Sequence, residues 1–323
     1  MRRKLLIGIF SVLWVTALSG QQLPQSSFFV YDQMTINPGY AGSQEGICVN
    51  ILARNQWMGF EGAPQTQKFD LHLPFKLFGL EHGAGIALYN DKVGFNNDIS
   101  SSLSYSFIRS ISIGRVGVGL GLSFFSQTLK AKWDFPTYDF GTQTGSATDP
   151  FIPNESAKGK IAFDLNLGTF YKGPNVLMGI SINNLLQTPL QTKSETSGVN
   201  AYSFLARHLN VIGSYNYQLS NPQFELQPAI GIMTTGRNTQ LSINSTLKYR
   251  SKIWGGIGYR TSDAIITFIG AEFIEGLNFG LSYDVTTSKI AKFDDGSVEI
   301  FLRYVFKLMI EKEHTNYKSI RFL

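Results

Sequence analysis

Four histidines, His72, His82, His208 and His314, and one cysteine, Cys48, are the side chains here most suited to metal or nucleophilic chemistry. Their spacing supports neither. No two histidines stand three or four residues apart, as ligands on one helix face would. A lone thiol can close no internal disulfide and build no thiolate cluster, so Cys48 reads as a small residue on a strand. Serine is plentiful, yet none sits in a strand–turn–helix nucleophile elbow, and no strong acid–base pair emerges. Gly117-Val118-Gly119-Leu120-Gly121 is not a phosphate loop, because its glycines alternate within a strand and precede no helix. Their expected role is to leave room in a crowded interior or at a strand crossing. Catalysis is therefore the third-ranked reading, and no cofactor or metal is implied.

Residues suited to holding a partner are easier to find. Phe28-Phe29-Val30-Tyr31-Asp32-Gln33-Met34 is amphipathic, and Asn37-Pro38-Gly39-Tyr40-Ala41-Gly42-Ser43 follows it. Asn-Pro and the glycines impose a defined, turn-rich path, and the aromatics need burial. Asn37, Pro38 and Tyr40 are the candidates in this segment. Arg54-Asn55-Gln56-Trp57, Gly62-Ala63-Pro64-Gln65-Thr66-Gln67 and Asn90-Asp91-Lys92-Val93-Gly94 then place polar groups at what should be strand ends. Arg54 and Gln56 share the face opposite Ile51 and Trp57. With Asp91 they predict an Arg-Gln-Asp network that is first a structural device and second a binding site.

The elements that must position these residues follow from composition. Of 323 residues 43% are hydrophobic but only 16% charged, against roughly 25% charged in an ordinary soluble domain. Mean hydropathy is −0.02, so apolar and polar residues must alternate rather than cluster. They do. Val116, Val118, Leu120, Leu122 and Phe124 alternate with small residues. Leu103, Tyr105 and Phe107 alternate with serines, and Leu277, Phe279, Leu281, Tyr283 and Val285 face away from Asn278, Gly280, Ser282, Asp284 and Thr286. One face is apolar with aromatics at its ends; the other is small or polar, as suits strands with lipid outside and water inside. A soluble sandwich would also alternate, but runs of about ten residues, aromatic girdles and a signal segment favour the membrane barrel.

The expected fold is therefore all-β: a transmembrane antiparallel β-barrel of about 14 strands. They begin near residues 47, 64, 83, 98, 114, 160, 175, 203, 223, 238, 252, 264, 276 and 297. The two longest connections, near 130–159 and 185–200, fall fifth and seventh, both on the outer side. Short turns at Lys172-Gly173-Pro174, Ser220-Asn221-Pro222 and Glu275-Gly276 fall on the periplasmic side, so the parity is consistent.

Arg2-Arg3-Lys4, the apolar run Leu5 to Leu18 and Ala17-Leu18-Ser19 read as a secretory signal cleaved after Ser19 or Gly20. No cysteine follows for lipid attachment. Removing the signal lowers the formal charge from +5 to +2, and no basic stripe remains, so a nucleic-acid partner is not expected. The expected organisation is a signal at 1–19, a periplasmic N-terminal segment or plug at 20–46, the barrel at 47–307 and a periplasmic tail at 308–323. That tail ends in Ile320-Arg321-Phe322-Leu323, apolar around one cation, and Arg321 and Phe322 are candidates for docking.

Taken in order, N-P-G-Y-A-G-S, R-N-Q-W, G-A-P-Q-T-Q and N-D-K-V-G resemble the PorP/SprF family of type IX secretion membrane proteins. Ser297 to Phe306 and Lys318 to Leu323 resemble that family's last strand and terminal motif. The resemblance implies an outer-membrane barrel used in type IX secretion and, in gliding bacteria, in delivering or retaining surface adhesins. Its implied partners are outer-membrane lipid, other secretion components and a secreted surface protein, and it offers no catalytic residues. The main alternative is a passive porin or small-molecule transporter, since a lumen lined by Asn, Ser, Gly, Lys and Glu could be wet.

Overall fold

The computed structural model describes residues 23–129, 157–193 and 200–307. The expected signal segment, most of the fifth connection and the tail with Arg321 and Phe322 lie outside the described residues. The strands are β1 (Gly46–Asn55), β2 (Gln65–Leu77), β3 (Leu80–Val93), β4 (Asn96–Ile111), β5 (Gly114–Leu129), β6 (Ala157–Lys158), β7 (Ala162–Lys172), β8 (Val176–Asn183) and β9 (Pro189–Lys193). They continue as β10 (Asn200–Phe204), β11 (His208–Tyr215), β12 (Tyr217–Gln218), β13 (Phe224–Thr234), β14 (Thr239–Tyr249), β15 (Ile253–Arg260), β16 (Ala264–Ile274), β17 (Leu277–Thr286) and β18 (Ser297–Lys307).

Fourteen of these form one closed antiparallel ring: β1–β5, β7, β8, β11 and β13–β18. Each pairs with its neighbours in the ring, β11 pairs directly with β13, and β18 returns to β1. Closure leaves no unpaired edge, which a lipid environment requires.

Side-chain distribution is inverted relative to a water-soluble protein. Leu103, Tyr105 and Phe107 are exposed on β4, as are Val118, Leu120, Leu122 and Phe124 on β5 and Leu281, Tyr283 and Val285 on β17. Between them Ser104, Ser106, Ser123, Ser282 and Asp284 are buried. A sandwich would bury the first set, whereas a barrel in lipid turns it outward.

Most expected strand starts lie within three residues of those observed. The eighth differs. Residues 200–204 leave the ring as β10 and pair with β9 in a separate two-stranded sheet, so the barrel strand begins at His208. Leu190 and Leu205 pack with Phe125 of β5 and Ala162 of β7 in a small apolar cluster, and that packing stabilises the detour.

The connections at the end bearing Gly46 and Lys307 are short. Phe78-Gly79 is a two-residue turn with φ 52° and 76°, and the three-residue turn of Arg250, Ser251 and Lys252 opens with φ 50° and 55°. These are the values a hairpin of right-twisted strands requires. The longer connections lie at the opposite end, which barrels of this kind turn outward.

Candidate functional site

The site is built around the segment before β1. Residues 23–45 run through the lumen as a strap, from the outer mouth, where Leu23 and Pro24 line a cavity of about 230 Å³ with Asp91 and His208, down to the start of β1. The sequence suggested a location at the periplasmic end. The strap spans both halves instead, because its serines find their partners, Glu299 and Asp284, near the outer ends of the strands and its glycines find theirs below.

Near the outer end, Ser26, Ser27 and Phe28 close on two carboxylates. Glu299 accepts hydrogen bonds from Ser26 Oγ (2.5 Å), Ser27 N (2.9 Å) and Phe28 N (3.2 Å). Asp284 accepts from Ser27 Oγ at 2.8 Å, and Asn244 Nδ2 donates to the Ser27 carbonyl at 3.0 Å. Arg54 bridges the pair, with Nη1 2.9 Å from Glu299 and Nη2 2.8 Å from Asp284. Arg260 reaches Asp284 at 3.2 Å and Asp263 at 2.9 Å. The side chains of Arg54, Asp284 and Glu299 are no more than 1% exposed. Charges this deep are tolerable only when paired and hydrogen-bonded, and here the strap supplies several of the donors.

Directly below, Phe28 enters a cluster of Trp254, Ile266, Phe268 and Phe301, and Tyr31 packs against it. Phe28 and Phe301 stack with centroids 5.4 Å apart, and Phe28 meets Trp254 edge-on at 5.9 Å. Burying a side chain of this size contributes about 1.5–3 kcal/mol. A single helical turn, Tyr31 N and Asp32 N to Phe28 O, sets the spacing. Asp32 then pairs with Lys68 at 2.5 Å, and Lys68 also donates to the Pro24 carbonyl at 2.9 Å.

In the lower half, Asn37 caps the 3-10 turn Pro38–Tyr40: its Oδ1 accepts from Gly39 N at 2.9 Å and its Nδ2 donates to Thr169 O at 3.0 Å. The wall opposite is glycine. A Cβ on Gly117 would stand 2.4 Å from Gly39 O, one on Gly119 2.3 Å from the Pro38 carbonyl carbon, and one on Gly83 2.0 Å from Ala41 O. The alternating glycines of β5 therefore let backbone lie on backbone. Tyr40 meets His72 and Phe170 edge-on, and its hydroxyl accepts from Arg303 at 3.0 Å.

Of the candidate residues, Asn37, Pro38, Tyr40 and Arg54 all contact or belong to the strap. Gln56 and Trp57 do not join them. β1 stops at Asn55, the backbone turns to φ 51° at Trp57, Gln56 N donates to Pro64 O at 2.9 Å, and Trp57 N donates to Ser297 Oγ at 3.0 Å. Asp91 instead accepts from Thr66 Oγ1 at 2.6 Å. Thr66 is the register partner of both Arg54 and Asp91, so two strand spacings, about 10 Å, separate the proposed Arg-Gln-Asp partners. Ser26, Ser27, Asp284, Glu299, Arg260 and Lys68 were not singled out. For the four charged residues the signal was present in the sequence, since a charge at a lumen-facing strand position needs a counter-charge; the two serines carried none. Among the described residues no cluster of three or more metal-ligating side chains occurs.

A family model described as "Type IX secretion system membrane protein PorP/SprF" matches residues 18–304. No curated protein matches the chain. Among solved structures, the chain is similar to the Ralstonia pickettii toluene transporter TbuX, with 12% identity, 84% of this chain and 93% of that one covered, and a TM-score of 0.46. It is also similar to the Acinetobacter baumannii outer membrane protein Omp33 (6% identity, 82% and 100% covered, TM-score 0.47). A third similarity is to the translocator domain of the autotransporter NalP from Neisseria meningitidis (12% identity, 86% and 95% covered, TM-score 0.43).

Proposed function

Because this chain belongs to the PorP/SprF family of type IX secretion system membrane proteins, we propose that it is a non-enzymatic outer-membrane component that assists export or surface retention of a partner protein. The observation that carries this reading is the occupied lumen. A buried ionic cage, an aromatic cluster and a glycine-floored backbone contact hold the strap over the height of the barrel. A barrel built this way is a rigid platform. Its variable surfaces are the long fifth and seventh connections at the outer side, which can change partner contacts without unfolding the ring.

Deleting the gene should abolish surface display of the partner protein, and the tagged barrel should co-purify with other secretion components. Purified protein in planar bilayers should show no steady conductance. Steady open pores, together with normal secretion in the deletion strain, would favour a passive porin instead.

A further inference from the structure

The lipid-facing wall is not uniformly convex. Where β14, β15, β16 and β17 approach the short-turn end, a concavity of about 550 Å³ opens outward. Its floor is small at Gly255 and Ala271, diagonal neighbours whose register partners Ile269 and Ile253 form the taller walls. Aromatic pairs bound both sides: Phe224 with Tyr249 at 5.0 Å between ring centroids, and Phe273 with Phe279 at 6.2 Å. A Cβ on Gly255 would meet nothing closer than Phe268 O at 3.3 Å and Ile269 Cγ2 at 3.5 Å, so the space above the floor is real. Reading up the strands from the turns, the groove reaches Leu247, three residues from Arg250, and Leu281, five from Gly276. At about 3.3 Å per residue this is roughly 10–17 Å of strand, within one leaflet of a roughly 30 Å hydrocarbon core.

The rim of the groove is cationic. Arg250 and Lys252 belong to the β14–β15 turn, are exposed and form no ion pair among the described residues. The guanidinium carbon of Arg250 lies 5.2 Å from the centre of the Tyr249 ring, which is itself a groove wall. Arg250 and Lys252 sit in the turn itself, at the end of the apolar wall, where long basic side chains reach the membrane–water interface. The nearby acid Glu275 is already paired with Lys307.

We propose that this groove binds one phospholipid of the inner leaflet, with an acyl chain over Gly255 and Ala271 and its phosphate on Arg250 and Lys252. Apolar depth confined to one leaflet, with two cations free of ion pairs where the phosphate would lie, fits that ligand better than it fits an apolar protein surface.

Native mass spectrometry of the full-length barrel in detergent, with added dioleoyl phosphatidylglycerol, tests the assignment. The wild type should retain one lipid per barrel, and dioleoylglycerol, which lacks the phosphate, should not replace it. Gly255→Leu, which fills the groove, and the double variant Arg250→Ala/Lys252→Ala should each lower occupancy at least fivefold while keeping heat-modifiable migration on a gel. Should Gly255→Leu fail to fold, Ala271→Leu fills the same floor. Unchanged occupancy in the groove-filled and the charge-removed variants would overturn the proposal. So would a lipid-free wild-type dimer that the filled groove abolishes, since the occupant would then be a second copy of this chain.

Discussion

Arg54 on β1 and Glu299 on β18 are register partners across the seam where the first and last barrel strands meet, and their ion pair closes at 2.9 Å inside the ring. One carboxylate thus serves two joints: the closure of the sheet and the anchoring of Ser26, Ser27 and Phe28.

Removing one member of that pair should be costly, because the other charges stay buried. Arg54→Met leaves Asp284 and Glu299 facing each other without their bridge and should destabilise the barrel by about 3–5 kcal/mol. The guanidinium chloride midpoint would report it, and the same variant in planar bilayers should begin to conduct as the strap loosens. A wild-type midpoint would show that the strap and seam do not depend on the cage.

The glycine wall predicts a sharp size limit. Gly117→Val places a methyl-bearing carbon where Gly39 O already lies, at 2.4 Å, and should displace the strap at a cost of about 1–3 kcal/mol. Gly213→Ala, whose Cβ would meet only Ile230 Cγ2 at 3.5 Å, should behave as wild type. Limited proteolysis of the folded barrels would distinguish them: only the valine variant should be cut within residues 23–45.

Leu281 faces lipid on β17, so Leu281→Arg should cost about 2–4 kcal/mol in a lipid refolding titration. The neighbour Ser282 points inward and would be the tolerant position in a wet lumen. Here it is 1% exposed, and the filled interior leaves no room for an arginine. Ser282→Arg should therefore also impair refolding, through overpacking rather than through lipid.

The fifth connection offers the complementary test. Ala157 and Lys158 pair with the end of β5, so a trim of residues 132–155 to a short Gly/Ser link spares that pairing. Loop-closure entropy varies slowly with length, and the change should cost only about 1 kcal/mol. Heat-modifiable migration should persist while surface display of the partner protein falls. Failure to insert would mean that this loop is structural.

Period-two alternation was enough to locate fourteen strands, because a one-residue error would turn every side chain on a strand to the wrong solvent. It also placed Arg54 inside. It could not name the partners of Arg54, since Asp284 and Glu299 lie 230 and 245 residues away and meet it only when the ring closes. Gln56 was grouped with Arg54 on an alternation that ends at Asn55, where the backbone turns, and Asp91 stands two strands away with Thr66 between them. The path of the strap was illegible for a similar reason. Its aromatics announce burial, but the wall that buries Phe28 and Tyr31 is assembled from strands late in the sequence.

The strap also constrains the order of assembly. Its hydrogen bonds to β17 and β18 join residues 257 to 273 apart, and β18 then seals the ring beside β1. A segment threaded through a closed hoop of strands cannot be added afterwards from the side. The sheet must curl around it as around a mandrel, with the last strand zipping shut only once the core piece is seated. Contacts this distant in sequence form slowly. A damaged strap would therefore show first as barrels arrested with an unsealed seam, before any loss of stability in those already closed.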